Sequence, residues 1–364
     1  MTSIRFILLG GFLGAGKTTT IARLARHYQS QGLKVGVVTN DQADDLVDSH
    51  SLRAQGFDVG EVAGACFCCK FNDLATTLDQ LGDQLHPDVI LAEPVGSCTD
   101  LVATVIRPLM AHSRRPLDIA PYGVLLKPSH GLRILRNQPN SGFSPQAAYI
   151  FRKQIEEADF VVINRIDQLA AVEVEELEQL LAAEFPGRPV LRISAKTGDG
   201  FASLVDFLGQ HGRFGQRVMD VDYDTYAAGE AELGWLNAHV DVSSHKPIDV
   251  DPLLLDVVRR LERALAADHA ETAHLKVIGM ANGLYGVANL VSSFTDPELS
   301  LRSQAQEKEV QLVVNARVAI SPERLEELVK KHVAAACDDI QVAAKFTQFV
   351  SFRPGRPVPT HRMN

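Results

Sequence analysis

The sequence predicts an α/β fold with a mainly parallel sheet, followed by a smaller α+β, ferredoxin-like domain. Three observations carry this. A β-prone apolar run from Ile4 to Leu9 ends in glycines at 10, 11, 14 and 16, then in Lys17-Thr18 and a helix-favouring stretch. Short apolar strands at 33–39, 88–93, 122–126 and 160–164 alternate with helical segments, as βαβ units do. Beyond a polar, Gly-bearing stretch near residue 210, strands and two amphipathic helices follow in the order β-α-β-β-β-α-β. The division read from these signals is 1–210, a linker at 211–231, a second domain at 232–352 and a tail at 353–364.

The whole chain narrows the field. With 364 residues, 46% apolar and 22% charged, it reads as a soluble protein of two domains. A net charge of −9 argues against nucleic acid as the main partner. No apolar run approaches the ~18 residues of a membrane helix. The apolar N-terminus is broken by glycines and lacks a cleavage signal, so the expected location is cytoplasmic. Five cysteines, three of them within four residues, suit metal or redox chemistry better than a secreted disulfide framework.

The first motif fits GxxxxGK[ST] between a strand and a helix. Gly11, Gly14, Ala15 and Gly16 curl the backbone so that N–H groups converge on phosphate oxygens. Lys17 would reach the outer phosphates, Thr18 would ligate Mg2+, and Thr19 continues the helix start. The second strand ends in Asn40-Asp41, and Asp41 is expected as a Mg2+-side carboxylate. The acidic residues Asp44, Asp45 and Asp48 read as a solvated loop.

Cys66, Cys68 and Cys69 form a CxCC cluster ahead of a helix that Asn72 is expected to cap. Thiolates favour Zn2+, Cu+ or Co2+ over Mg2+ or Ca2+, and three of them leave a fourth position open. The strand Asp88 to Glu93 ends in Glu-Pro-Val-Gly. There Glu93 would support Mg2+ and the Gly96 N–H would sense the terminal phosphate. Cys98, just beyond, reads as a structural thiol before it reads as a fourth ligand. A helix is expected from Thr99 to about Met110, irregular chain over 128–143, and a helix started by Ser144-Pro145. The strand at 160–164 leads into Asn164-Arg165-Ile166-Asp167. Asn164 and Asp167 match the guanine-reading pattern NKxD with Arg165 for Lys. Ser194, Ala195 and Lys196 follow the next strand as the second base-side loop. Together these make the expected nucleotide GTP. No water-positioning Gln is apparent, so intrinsic hydrolysis should be slow, on the order of 10⁻⁴ to 10⁻² per second.

This order of motifs resembles the CobW/HypB/UreG-type metallochaperone GTPases, and their CobW-like branch in particular. The resemblance rests on GGFLGAGKTT (10–19), ACFCC (65–69), EPVG (93–96), QIEEAD (154–159), NRID (164–167) and SAK (194–196). It covers about residues 3 to 210. Ala65 stands where the family usually has Gly, Arg165 replaces the usual Lys, and Lys127 falls near a customary Asp. TNDQ (39–42) looks more like the HypB and UreG form, and His-rich loops are absent. The resemblance implies a GTPase with Mg2+ and a thiophilic metal, Zn2+ or Co2+, an unidentified client metalloprotein, and a possible homodimer. Two rival readings compete: a regulatory GTP switch whose CxCC is structural or redox, and a P-loop small-molecule kinase or ATPase.

In the second domain, strands are expected at 235–242, 274–280, 286–291, 309–318 and 340–350. Asp251-Pro252 is expected to cap one helix and Ser321-Pro322 to start the other, with His332 on its apolar face. This part loosely resembles the CobW C-terminal domain, including Cys337 at the end of the last helix, and shows no catalytic cluster.

Overall fold

The structure, a computed structural model, describes residues 3–40, 49, 52–53, 55–137, 144–293 and 295–364. The chain forms two compact units, Met1–Gly229 with Arg356–Asn364, and Glu230–Gly355. Asp41, Asp44, Asp45 and Asp48 lie outside the described residues, so the Mg2+ role expected of Asp41 is not placed.

The first unit is built on an eight-stranded sheet, all of whose described pairings are parallel. Its strands are β1 (Ile4–Gly11), β2 (Val35–Asn40), β3 (Asp58–Val62), β4 (Val89–Glu93), β5 (Leu117–Ile119), β6 (Gly123–Leu126), β7 (Phe160–Ile163) and β8 (Val190–Arg192). The order is β3-β2-β4-β1-β6-β7-β8, with β5 pairing the start of β1. β2, β4, β6 and β7 are buried at every position, as expected when helices cover both faces; the edge strands β3 and β8 are not. The helix after β1, α1 (Lys17–Ser30), buries Ile21, Leu24, Ala25 and Tyr28 at helical spacing. α2 (Phe71–Leu85) does the same with Phe71, Leu74, Leu78 and Leu81. Lys70, not Asn72, occupies its N-cap: the helix starts two residues earlier than expected, leaving Asn72 inside the first turn.

Three other expectations need correction here. The helix expected at 99–110 starts later, with a π-turn at Val102–Ile106 leading into α3 (Arg107–His112). Residues 128–135, read as irregular because of Pro128 and Gly131, form α4 (Pro128–Leu135), since proline suits a helix's first turn. α5 (Pro145–Glu157) starts as expected, with the Ser144 hydroxyl accepting the Ala147 N–H at 3.0 Å. After α6 (Ala171–Glu184) and α7 (Phe201–Leu208), the segment read as a linker is tied to the unit instead. Gly215 N–H donates to Asp159, Arg217 donates to the Ala158 carbonyl, and α8 (Tyr223–Glu230) ends the segment.

The second unit is a six-stranded antiparallel sheet ordered β12-β11-β10-β13-β9-β14. The strands are β9 (Gly234–Asp249), β10 (Thr272–Ala281), β11 (Leu284–Leu290), β12 (Glu298–Leu301), β13 (Gln306–Val318) and β14 (Ala343–Phe352). The run β14-β9-β13-β10 is the ferredoxin-like arrangement, and β11 with β12 extends its edge. α9 (Val250–Ala267) and α10 (Pro322–Asp339) share one core with alternate residues of β9 and β13. Leu254, Val257, Val258, Leu261 and Leu265 are at most 1% exposed, and burying each contributes roughly 1.5–3 kcal/mol. Asp251 does not cap α9. It accepts instead from Ser303, N–H at 2.8 Å and hydroxyl at 2.7 Å. His332 is half-buried rather than core, beside Arg260, Arg324 and Lys331, which with burial hold its imidazole below the usual range.

Candidate nucleotide and metal site

The phosphate-binding turn lies where β1 parts from its two neighbours, β4 on one side and β6 on the other, the usual ligand crevice of an open parallel sheet. Gly16 caps α1 with φ 88°, and a Cβ there would meet the Asn164 amide nitrogen at 2.4 Å, so the turn requires glycine. Lys17 is buried and bends back to donate to the Gly11 carbonyl at 3.0 Å. Gly14 is half-buried, Ala15 buried and Thr19 exposed. Thr18 donates to Glu93 Oε1 at 2.9 Å, bringing the two predicted Mg2+-side groups together.

Gly96 packs directly on the phosphate-binding turn. A Cβ there would meet the Leu13 side chain at 2.7 Å and its Cα at 3.1 Å. The segment is held from behind by Gln154, whose amide donates to the carbonyls of Gly96 (3.0 Å) and Cys98 (2.8 Å). Glu157, fully buried, accepts the Val102 N–H at 3.0 Å, and burial pushes its carboxyl well above the ordinary range. QIEEAD thus supplies the residues that hold the loop after Glu93, a role that spacing alone did not reveal.

Asn164 joins the glycine-rich turn to the loop after β8. It donates to the Ala15 carbonyl at 2.8 Å and accepts N–H groups from Arg165 (2.8 Å) and Ala195 (2.9 Å). Asp167 follows, exposed, in a 3-10 turn. The Ser194 hydroxyl accepts the Thr197 N–H at 3.1 Å, and Lys196 is exposed. Arg23 of α1 donates to the carbonyls of Ala195 and Lys196, both at 2.8 Å, and so fixes this loop. Its arginine is two turns into a helix and carried no motif signal.

Cys66, Cys68 and Cys69 converge. Their sulfurs stand 2.9 Å (66–68), 3.2 Å (66–69) and 3.8 Å (68–69) apart. Among the described residues they form the one cluster of three or more His, Cys, Asp or Glu ligand atoms close enough to share a metal ion. Cys66 and Cys68 are buried and Cys69 is half-buried. Hydrogen bonds from Cys68, Cys69 and Cys98 hold the Cys66 thiol well below its ordinary range. The same sharing and burial push Cys68 well up, and Cys69 to about 11. Cys98, buried, therefore lies against Cys66 rather than apart from the triad, although sequence reading set it mainly aside as a structural thiol.

Asn40 positions this cysteine loop. Its amide donates to the carbonyls of Val62 (2.8 Å) and Ala65 (2.7 Å) and accepts the Phe67 N–H at 2.8 Å. Its neighbour Thr39 stands in register with Glu93, so one strand end touches both the carboxylate strand and the cysteine loop.

The nucleotide-binding-domain profile of the CobW/HypB/UreG family matches residues 5–192. A zinc chaperone CobW from a Sinorhizobium species is 25% identical over 229 residues, 56% of this chain and 62% of that protein. The zinc chaperone YeiR of Escherichia coli is 30% identical over 168 residues, 44% of this chain and 46% of YeiR. The chain thus matches less than two thirds of either relative's length. The crystal structure of Zn(II)-bound YjiA GTPase from E. coli aligns over 91% of this chain and 99% of that one, with 17% identity and a TM-score of 0.38. No described helix is long and apolar enough to cross a membrane. By the profile match across more than half its length, the chain belongs to the CobW/HypB/UreG family.

Proposed function

We propose that this protein is a metallochaperone GTPase, coupling the state of a bound guanine nucleotide to the holding and delivery of a thiophilic metal. The observation that carries the reading is Asn40, which makes three hydrogen bonds to the cysteine loop from the strand that flanks Glu93. A change near the carboxylate has a short path to the thiols.

The residues suit these groups. The turn at Gly14–Gly16 is closed to side chains at Gly16 and opens onto the first N–H groups of α1, a cradle for phosphate. Thr18 and Glu93 present hard oxygens for Mg2+, and three sulfurs within bonding reach of one point suit Zn2+ or Co2+ as cargo. Bound GTP with Mg2+ supplies the free energy of phosphoryl transfer to water. Lys17 neutralises charge at the outer phosphates, Asn164 and Asp167 orient the guanine, and Gly96, packed against Leu13, offers its N–H to the terminal phosphate. Hydrolysis in the isolated protein is slow, on the order of 10⁻⁴ to 10⁻² per second, the range of unassisted P-loop GTPases. The client is a metalloprotein that takes the ion from the open side of the triad.

The deciding experiment is Zn2+ or Co2+ affinity measured with GTP, with GDP and without nucleotide. The reading expects the three values to differ; equal values end the coupling.

A further inference from the structure

The sequence reading treats 353–364 as a tail, but Arg356–Asn364 packs back onto the first unit. The Thr360 N–H donates to the Cys68 carbonyl at 2.8 Å and its hydroxyl to the Cys69 carbonyl at 2.9 Å. The Val358 amide hydrogen-bonds the Cys69 thiol. Cys69 is the one member of the triad that reaches the surface, so this segment lies on the side from which an ion would enter or leave. The His361 ring packs edge-on against Phe71, two residues beyond the motif, at a centroid distance of 5.0 Å.

The same segment is anchored a second time. Arg362 Nε donates to Asp100 Oδ2 at 2.8 Å and Arg362 Nη2 to the Met219 carbonyl at 2.6 Å. Met363 N–H donates to the Ala103 carbonyl at 2.8 Å. Asp100 is 1% exposed, accepts the Tyr223 hydroxyl at 2.7 Å, and has a left-handed backbone at φ 62°. It ends the stretch that begins at Glu93 and that Gln154 grips at Gly96 and Cys98. One nine-residue segment therefore binds the cysteine loop with its middle and the nucleotide-facing stretch with its end.

We propose that Arg356–Asn364 is a latch over the thiol cluster, keyed by the Arg362–Asp100 pair, that gates metal exchange. It rests on the reading above that the triad holds the metal and that Glu93 faces the nucleotide. A buried carboxylate bonded to a guanidinium tolerates little displacement, because separation leaves a charge buried without its partner. Movement of 93–100 with the nucleotide state then loosens Arg362, and with it the Thr360 and Val358 bonds that cover Cys69.

The test loads the full-length protein with one equivalent of Co2+ and follows transfer to an excess of a chelator, with GDP and with a non-hydrolysable GTP analogue. Wild-type, Arg362→Ala and Thr360→Val proteins are compared, with thermal melts to check folding. Each variant loses at least one hydrogen bond to the latch, so transfer is expected to quicken by about fivefold or more. The Co2+–thiolate absorption band keeps its intensity in both, and the difference between nucleotides shrinks in Arg362→Ala. Wild-type rates in both folded variants overturn the latch. A band in the wild type that survives replacement of all three cysteines overturns the metal reading, and the latch with it. The two failures are separate, because the second appears without touching Arg362 or Thr360.

Discussion

Thr18 donates its hydroxyl to Glu93 across 2.9 Å, joining the first turn of α1 to the tip of β4. In a P-loop site this hydroxyl and carboxylate are the protein oxygens on which Mg2+ draws, directly or through water. Glu93→Gln keeps the shape and an acceptor for Thr18 but removes the charge. GTP hydrolysis should fall by about 10²-fold or more, as when one charge-stabilising group is lost. Single-turnover phosphate release measures it; an unchanged rate removes Glu93 from the chemistry.

Asn40→Ala removes one acceptor and two donor contacts from the cysteine loop. Net worths of about 1 kcal/mol each translate into a roughly ten- to hundredfold loss of metal affinity if the loop must reorder on binding. Chelator competition reads this directly. GTP affinity of the metal-free protein should stay as in the wild type, since the Asn40 side chain bonds to the cysteine loop and not to the phosphate-binding turn.

The thiols titrate in opposite directions. Hydrogen bonds keep Cys66 ionised well below the ordinary thiol range, whereas Cys68 is pushed well up and Cys69 to about 11. A metal bound by all three sulfurs must displace the protons that Cys68 and Cys69 are held to keep. Affinity should therefore rise with pH through neutrality. Calorimetry in buffers of different ionisation enthalpy counts the protons; a count near zero points to ligands other than these thiols.

Asp167 stands exposed in a short turn behind Asn164, with a carboxylate that only accepts. Guanine offers N–H donors to such a group, and xanthine offers a carbonyl at that edge. Asp167→Asn should therefore shift preference from GTP toward the xanthosine nucleotide by at least about tenfold, read by competition binding. Unchanged preference, or equal binding of ATP by the wild type, undoes the guanine assignment.

The nucleotide half of the site was legible because its chemistry is local. Gly16, Lys17 and Thr18 are adjacent, and Asn164 sits at a strand end, where it meets the Ala15 carbonyl. CxCC was legible for the same reason, since three thiols within four residues must meet. What holds these loops was not. Asn40, Arg23 and Gln154 act on segments 22 to 173 residues away through hydrogen bonds to backbone carbonyls, and a carbonyl has no sequence signature. The return of 356–364 was hidden likewise, because the stretch read only as a tail until Thr360 and Arg362 were placed beside Cys68, Cys69 and Asp100. Helix starts were misjudged by two residues at Asn72 and Asp251, because each helix begins at a residue, Lys70 or Asp249, whose side chain makes no cap bond.

Gln154 offers the sharpest separation of stability from coupling. It is 1% exposed, and its amide is the donor that the buried carbonyls of Gly96 and Cys98 share. Gln154→Met fills nearly the same volume but leaves both carbonyls without that donor, at a cost of roughly 2–4 kcal/mol. Leu261→Ala, deep in the second unit's core, should cost a similar roughly 2–5 kcal/mol by opening a cavity. The two variants should melt earlier to comparable extents. They differ in what the lost energy was holding. Gln154 fixes the stretch from Glu93 to Asp100 through which the nucleotide state would reach the thiols, so Gln154→Met should shrink the difference in metal affinity between GTP and GDP. Leu261→Ala should leave that difference intact at temperatures where both proteins are folded. Equal loss of coupling in both variants means that general destabilisation, and not this segment, governs communication between the sites.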